Sequence, residues 1–128
     1  MPEVAATSTA TVLVVDDEPH CRHFLALTLR QAGHSVLLAG DGIEALQVSD
    51  GYDGTIHVVF SDVVMPGMGG RELVEKLLKK RPQTRVVFIS GYVDDPLLRT
   101  RIEQAQFSLL QKPFTAAEAI QAVHEAMR

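Results

Sequence analysis

The chain has 128 residues, of which 46% are hydrophobic and 22% charged, with a formal net charge of −4 and one cysteine. That length suits a single domain with a self-sufficient core, and one cysteine rules out an internal disulfide framework and fits a reducing, cytoplasmic setting. The negative balance argues against a phosphate-backbone binder, and no apolar run nears the ~20 residues that span a bilayer.

Residues 1–10 are small and mostly uncharged, with neither the basic nor the apolar stretch of a signal peptide. They read as a mobile lead-in to a domain over 11–128. Thr11-Val12-Leu13-Val14-Val15 is a buried strand that ends at Asp16-Asp17-Glu18. Pro19 suits the first helical position. A helix over 19–32 then carries Phe24, Leu25, Leu27, Thr28 and Leu29 on its apolar face, and Gly33 stops it. A second strand runs over 34–39. Asp41 caps a helix carrying Ile43, Ala45, Leu46 and Val48, which ends near Asp50-Gly51.

The third strand, 56–62, ends at Asp62. Val63-Val64-Met65-Pro66-Gly67-Met68-Gly69-Gly70 follows, and its proline and glycines break the strand into a loop. A helix over 71–80 carries Leu73, Val74, Leu77 and Leu78, with Lys76, Lys79, Lys80 and Arg81 as a solvated, dipole-matched end. Pro82 closes it. The fourth strand, 85–89, leads into Ser90-Gly91-Tyr92, and Asp94-Asp95-Pro96 caps a polar helix to about Gln104. The last strand, 107–111, leads into Lys112-Pro113-Phe114. Thr115 caps a final helix carrying Ala119, Ile120, Val123 and Met127. Five strands alternating with five helices predict an α/β domain with a parallel sheet covered on both faces and right-handed crossovers.

In such a sheet the carboxyl ends of all strands share one edge, where ligands bind. Asp16-Asp17, Asp62, Ser90 and Lys112 all fall there. With the first strand between the second and third, Asp16 and Asp17 stand beside Asp62. Two unit charges ~4 Å apart at an effective dielectric of ~20 interact by about 4 kcal/mol, so protons or a cation must relieve the cluster. Oxygen-only ligands favour a hard cation, Mg²⁺ above others, because it binds through one or two carboxylates and contacts phosphate oxygens. Lys112 adds a positive point charge and Ser90 a hydroxyl. Together these residues form a phosphoryl-transfer set in which an aspartate serves as nucleophile.

The sequence resembles the receiver domain of two-component response regulators. The matching pieces are Val14-Val15-Asp16-Asp17-Glu18, Asp62 through Gly70, Ser90-Gly91-Tyr92 and Lys112-Pro113-Phe114, in that order. In motif style it is similar to receivers at the C-terminus of hybrid sensor histidine kinases, through the Gly91-Tyr92 pair, Gly70-Arg71-Glu72-Leu73 and Leu110-Gln111-Lys112-Pro113-Phe114. The resemblance implies a flavodoxin-like (βα)5 sheet in order 2-1-3-4-5, with Asp62 as phosphoacceptor. A phosphohistidine on a sensor kinase or a histidine phosphotransfer protein would load it. Asp17, Asp62 and the Val64 carbonyl would contact Mg²⁺, with Asp16 acting through water. Lys112 would pair with the phosphoryl group, Ser90 would swing onto it, and the Lys112-Pro113 bond would be cis. The output would be a shifted surface on the fourth helix, fifth strand and fifth helix, with neither direct nucleic-acid binding nor membrane insertion.

One departure from the family pattern and one pair of tuning positions bear on the expected behaviour. Leu109 stands where receivers usually carry Tyr or Phe, with Phe107 on the same strand face. Val64 and Tyr92 occupy positions that tune phosphoryl lifetime, and Val64 offers an attacking water no side-chain hydrogen bond. Slow self-hydrolysis is the expectation, and an unchanged lifetime in Val64→Asn would contradict it. Three other readings fit less well. An aspartate-nucleophile phosphatase usually has a second Asp where Val64 stands. A phosphorylation-independent interaction module would not need every site residue. A flavin site would meet repulsion from Asp16-Asp17-Glu18. Cys21 between His20 and His23 reads as an inert thiol beside solvated histidines, because adjacent helical residues diverge. His34, His57 and His124 read as structural.

Overall fold

Side chains alternate between the two faces of a strand, so an apolar run with no polar break suits a strand buried on both sides. The computed structural model describes residues 9–91, 95–104 and 106–128. Its strands are β1 (Thr11–Val15), β2 (Ser35–Ala39), β3 (Val58–Asp62), β4 (Arg85–Ser90) and β5 (Ser108–Gln111). They alternate with α1 (Pro19–Gln31), α2 (Gly42–Gly51), α3 (Gly70–Lys80), α4 (Pro96–Glu103) and α5 (Ala116–Ala126). Every pairing is parallel, and the strand order is β2-β1-β3-β4-β5, the doubly wound flavodoxin-like sheet. Among the described residues no helix is long and apolar enough to cross a membrane.

Strand alternation divides the core in two. Val12, Val14, Phe60 and Ile89 point to the face covered by Leu25 and Leu29 of α1 and by Ala119 and Val123 of α5. Leu13, Val15, Val59 and Phe88 point to the face covered by Ala45 of α2, Leu73 and Leu77 of α3 and Leu98 of α4. Helix starts carry local caps. Asp41 accepts from the Glu44 N–H at 2.7 Å, Asp95 accepts from Leu97 and Leu98, and Thr115 forms a capping box with Glu118. Gly33 takes φ +99°, as the sequence predicts for the residue that ends α1.

The structure corrects several expectations. Phe24 and Leu27 are exposed, and α1 instead buries Leu25, Ala26, Thr28 and Leu29. Phe24 lies on the flank of the helix, 6.0 Å from the Phe114 ring. Ile43, in the first turn of α2, is also exposed, and Leu78 is only half-buried. Ala10 is buried rather than part of a free lead-in, because its carbonyl accepts from Ser35 at 2.9 Å and extends the sheet edge. Residues 1–8, Tyr92 and Asp94 lie outside the described residues. Arg81 is not a solvated helix end. It donates to the Ser49 hydroxyl and to the carbonyls of Ser49, Tyr52 and Gly54 at 2.6–2.8 Å, tying the end of α3 to the exit of α2.

Two histidines without visible partners in the sequence hold the start of β1. The Nδ1 of His34 accepts the Ala10 N–H at 3.0 Å, and the Nδ1 of His57 accepts the Thr11 N–H at 2.9 Å. Burial, then the nearby His124 and His57, hold the His34 pKa below its ordinary value. A histidine with a depressed folded pKa leaves stability intact above its unfolded pKa of ~6.5 and removes it as pH falls below that value. Melting temperature should therefore drop between pH 7 and pH 5. A His34→Asn variant, which offers an uncharged acceptor, should show a flatter profile in the same thermal scans.

Candidate functional site

The site forms where β1, β3, β4 and β5 end. Val15 pairs with Ser61, so Asp16 follows beside Asp62 on the neighbouring strand. Asp62 pairs with Ile89, which puts Ser90 one residue further along β4. Ser90 is buried, and its carbonyl accepts the Lys112 N–H at 3.0 Å. The acidic turn, the Asp62 strand end, Ser90 and Lys112 thus meet at one sheet edge. Lys112 is followed by a cis peptide to Pro113, as the resemblance implies.

One carboxylate oxygen from each of Asp16, Asp17 and Asp62 lies within 4.8 Å of the others. Asp16 is fully buried, Asp62 partly so, and Asp17 is exposed. Asp16 Oδ1 accepts the Glu18 N–H at 2.9 Å, whereas its buried Oδ2 has no hydrogen-bond partner among the described residues. The Lys112 ammonium stands 3.4 Å from that Oδ2 and 3.4 Å from Asp62 Oδ2, bridging the two acids. Glu18, the third acid of the run, is used elsewhere: it caps α1 by accepting from Cys21 at 2.9 Å. The Val64 N–H donates to Asp62 Oδ1 at 3.4 Å, and the Val64 side chain is exposed.

The electrostatics follow from this packing. Burial pushes the Asp62 pKa up, Lys112 opposes that, and Asp16 adds to it. Burial works against the charge on Lys112, but Asp62 and Asp16 outweigh it, so its pKa is raised. Lys112 is therefore a firm cation that helps keep Asp62 ionised. Burial and then Asp16 push the Cys21 thiol up to about 12, so it stays protonated and inert, as its sequence context suggests.

The residues fit a hard divalent cation. Oxygens at 2.0–2.1 Å from Mg²⁺ are at most about 4.2 Å apart, so carboxylates already within 4.8 Å need little movement to share one. The buried Asp16 Oδ2, which the Lys112 ammonium meets at 3.4 Å, is a further oxygen suited to a hard cation. Sequence reasoning missed two supports. A Cβ on Gly70 would overlap the Asp62 carbonyl oxygen and stand 3.0 Å from Val63 Cα, so only glycine lets α3 start against the Asp62 peptide. The other is Arg22, whose Nη1 donates to the Asp16 carbonyl at 2.7 Å. The Gly69-Gly70 pair was the available signal for the first. For Arg22 the signal was a cation in the first turn of a helix, where the dipole disfavours it.

Leu109 is partly exposed on β5. Phe107 is not free beside it: its ring packs edge-on to Phe88 at 5.5 Å and lies under the Arg101 guanidinium at 5.7 Å.

A doubly wound domain with clustered acids, a lysine and a buried serine at one sheet edge is the arrangement that the receiver resemblance implies. Comparison with known proteins agrees. A sequence model of the response regulator receiver domain matches residues 12–124, and the chain belongs to that family. It is 36% identical over 121 residues to the sensor kinase CckA of Brucella abortus, covering 94% of this chain and 13% of that protein. It is 34% identical over 118 residues to the C4-dicarboxylate transport transcriptional regulatory protein DctD of Pseudomonas aeruginosa, covering 91% and 25%. The chain thus spans a quarter or less of these curated relatives. Among solved structures, the receiver domain of the hybrid histidine kinase CckA matches with TM-score 0.71 and 34% identity, over 92% of this chain and 99% of that one. The chemotaxis protein CheY4 of Vibrio cholerae matches with TM-score 0.82 and 28% identity, over 93% and 99%. The protein is a receiver domain, homologous to those of two-component response regulators and hybrid kinases.

Proposed function

We propose that Asp62 accepts a phosphoryl group from a phosphohistidine on a sensor kinase or histidine phosphotransfer partner, with Mg²⁺ held directly by Asp17, Asp62 and the Val64 carbonyl and through water by Asp16. The observation that carries this reading is the Lys112 ammonium, 3.4 Å from both Asp16 and Asp62. Its charge favours the ionised form of Asp62 against the effect of burial, and it stands where charge would gather as a phosphoryl group arrives. An Asp62 carboxylate oxygen attacks phosphorus in line. The O–P bond forms as the N–P bond breaks, and the electron pair leaves on the donor imidazole. The cation, when bound, supplies charge neutralisation at the phosphoryl oxygens. Lys112 pairs with one of those oxygens, and the Ser90 hydroxyl donates to another. Closure of Ser90 biases the surface of α4, β5 and α5 by population shift. With Phe107 held by Phe88 and Arg101, this chain lacks a free aromatic on β5 to follow Ser90. The domain turns over only its own phosphoryl group, slowly because Val64 cannot orient water.

Intact mass after incubation with a small acyl-phosphate donor tests this. One phosphoryl adduct is expected in the wild type with Mg²⁺, and none without Mg²⁺ or in Asp62→Asn. Failure with both the acyl phosphate and a phosphohistidine protein donor would favour a phosphorylation-independent interaction module.

A further inference from the structure

The peptide that joins Asp16 to Asp17 decides where the exposed Asp17 carboxylate stands relative to the buried Asp16. Three hydrogen bonds fix it. The Asp16 N–H donates to the Ala39 carbonyl at 3.2 Å, Asp16 Oδ1 accepts from Glu18 at 2.9 Å, and the Asp16 carbonyl accepts Arg22 Nη1 at 2.7 Å. The first two hold residue 16 itself. The third, made by a side chain from outside the acidic run, acts on the carbonyl of the linking peptide. Arg22 is half-buried in the first turn of α1, and its guanidinium lies against the Gly40 backbone: a Cβ built on Gly40 would be 3.4 Å from Nη1. The arginine is thus wedged between the acidic turn and the turn that leads into α2.

We infer that Arg22 is a positioning residue that fixes the Asp16-Asp17 peptide, so that the acidic cluster fits Mg²⁺ in preference to larger divalent cations. This rests on reading the cluster as a cation site. The sign of the effect separates the inference from its alternative. As a mere nearby positive charge, Arg22 would repel any cation, and its removal would tighten binding of all of them. As a positioning group it does the reverse, because partners that orient metal ligands typically contribute 10–100-fold in affinity. Mg²⁺ demands near-ideal octahedral geometry, whereas Ca²⁺ tolerates irregular sites. The loss should therefore fall on Mg²⁺.

The test is calorimetric titration of Mg²⁺ and Ca²⁺ at fixed ionic strength into wild type, Arg22→Ala, Arg22→Lys and Asp62→Asn, with metal-free melting curves. For Arg22→Ala we expect Mg²⁺ affinity to fall by about 10-fold or more, Ca²⁺ affinity to change far less, and the metal-free melting temperature to stay close to wild type. Arg22→Lys, which keeps the charge but not the planar fork, should lose Mg²⁺ affinity partially and leave Ca²⁺ unchanged. Tighter binding of both cations by Arg22→Ala, or equal losses for both, overturns the inference. If Arg22→Ala does not fold, Arg22→Lys decides: unchanged Mg²⁺ affinity there overturns it. A wild type that binds no Mg²⁺, or that Asp62→Asn does not weaken, removes the cation-site reading itself and is distinguishable from failure of the arginine variants alone.

Discussion

A Gly70→Ala variant is expected to lose about 3 kcal/mol of stability, at the upper end of the usual range for overpacking, and to lose phosphoryl uptake along with it. The added methyl would overlap the Asp62 carbonyl oxygen and crowd Val63 Cα. Both are backbone atoms, so no side-chain rotation relieves the overlap. The Gly70 N–H also donates to the Val63 carbonyl at 2.9 Å, and the helix it opens carries the buried Leu73, Val74 and Leu77. Relief must come either from moving α3 off its core face or from displacing the peptide that carries Asp62. Gly69→Ala is the matched control. A Cβ there is 3.5 Å from the Val63 carbonyl oxygen, an ordinary contact, and its cost should stay near the few tenths to 1 kcal/mol of a poorer N-cap. Denaturant midpoints and the rate of acyl-phosphate uptake, measured on both variants, decide it. Equal costs at 69 and 70 would show that the close approach of α3 to Asp62 is not limiting.

How much of this was legible in the sequence depends on where each residue finds its partner. The ends of β1, β3 and β4 were readable because buried parallel strands are mostly apolar runs that close at Asp16, Asp62 and Ser90, whereas β5 is short and largely exposed, and Lys112 was readable from the Lys112-Pro113-Phe114 motif. Face assignment failed in α1, because apolar or nearly apolar residues fill 24–29 almost without interruption. Periodicity cannot choose between Phe24 and Ala26 in such a run. The flank contact between Phe24 and Phe114, 90 residues apart in sequence, decides it instead. The larger gap concerns side chains that bond to distant backbone. Arg81 serves carbonyls of residues 49, 52 and 54, His34 and His57 serve the amides of Ala10 and Thr11, and Arg22 serves the Asp16 carbonyl. A backbone partner, donor or acceptor, leaves no complementary residue type to read. The same blindness made Glu18 look like part of an acidic triple, when its carboxylate caps α1.

Removing the bridging ammonium should produce the other large effect. In Lys112→Ala, two carboxylates lose the cation 3.4 Å from each, and Asp16 Oδ2 loses its ion partner while fully buried. Breaking a fully buried pair costs about 3–5 kcal/mol. Lys112 is a third exposed, so solvent screens part of this and about 1–2 kcal/mol is the expected loss at neutral pH. The pH dependence has a defined sign. Asp62 already has a raised pKa, chiefly through burial, and without Lys112 it rises further. A carboxyl whose folded pKa exceeds its unfolded value destabilises the fold above that pKa and ceases to do so once protonated. The deficit of Lys112→Ala should therefore be greatest near neutrality and shrink as pH falls through the raised Asp62 pKa. Lys112 itself has a raised pKa, so the stability it contributes is present below the unfolded lysine value and fades only as pH rises through the folded one. Mg²⁺ offers a second check. It would restore positive charge between the orphaned acids, so it should raise the melting temperature of Lys112→Ala more than that of wild type. Phosphoryl uptake should nevertheless stay down by roughly 10²-fold, the usual loss on deleting one charge-stabilising donor, because on the proposed reading Lys112 would pair with a phosphoryl oxygen that a cation on the carboxylates does not reach. Uptake fully rescued by Mg²⁺ would mean that Lys112 serves only to neutralise the resting site.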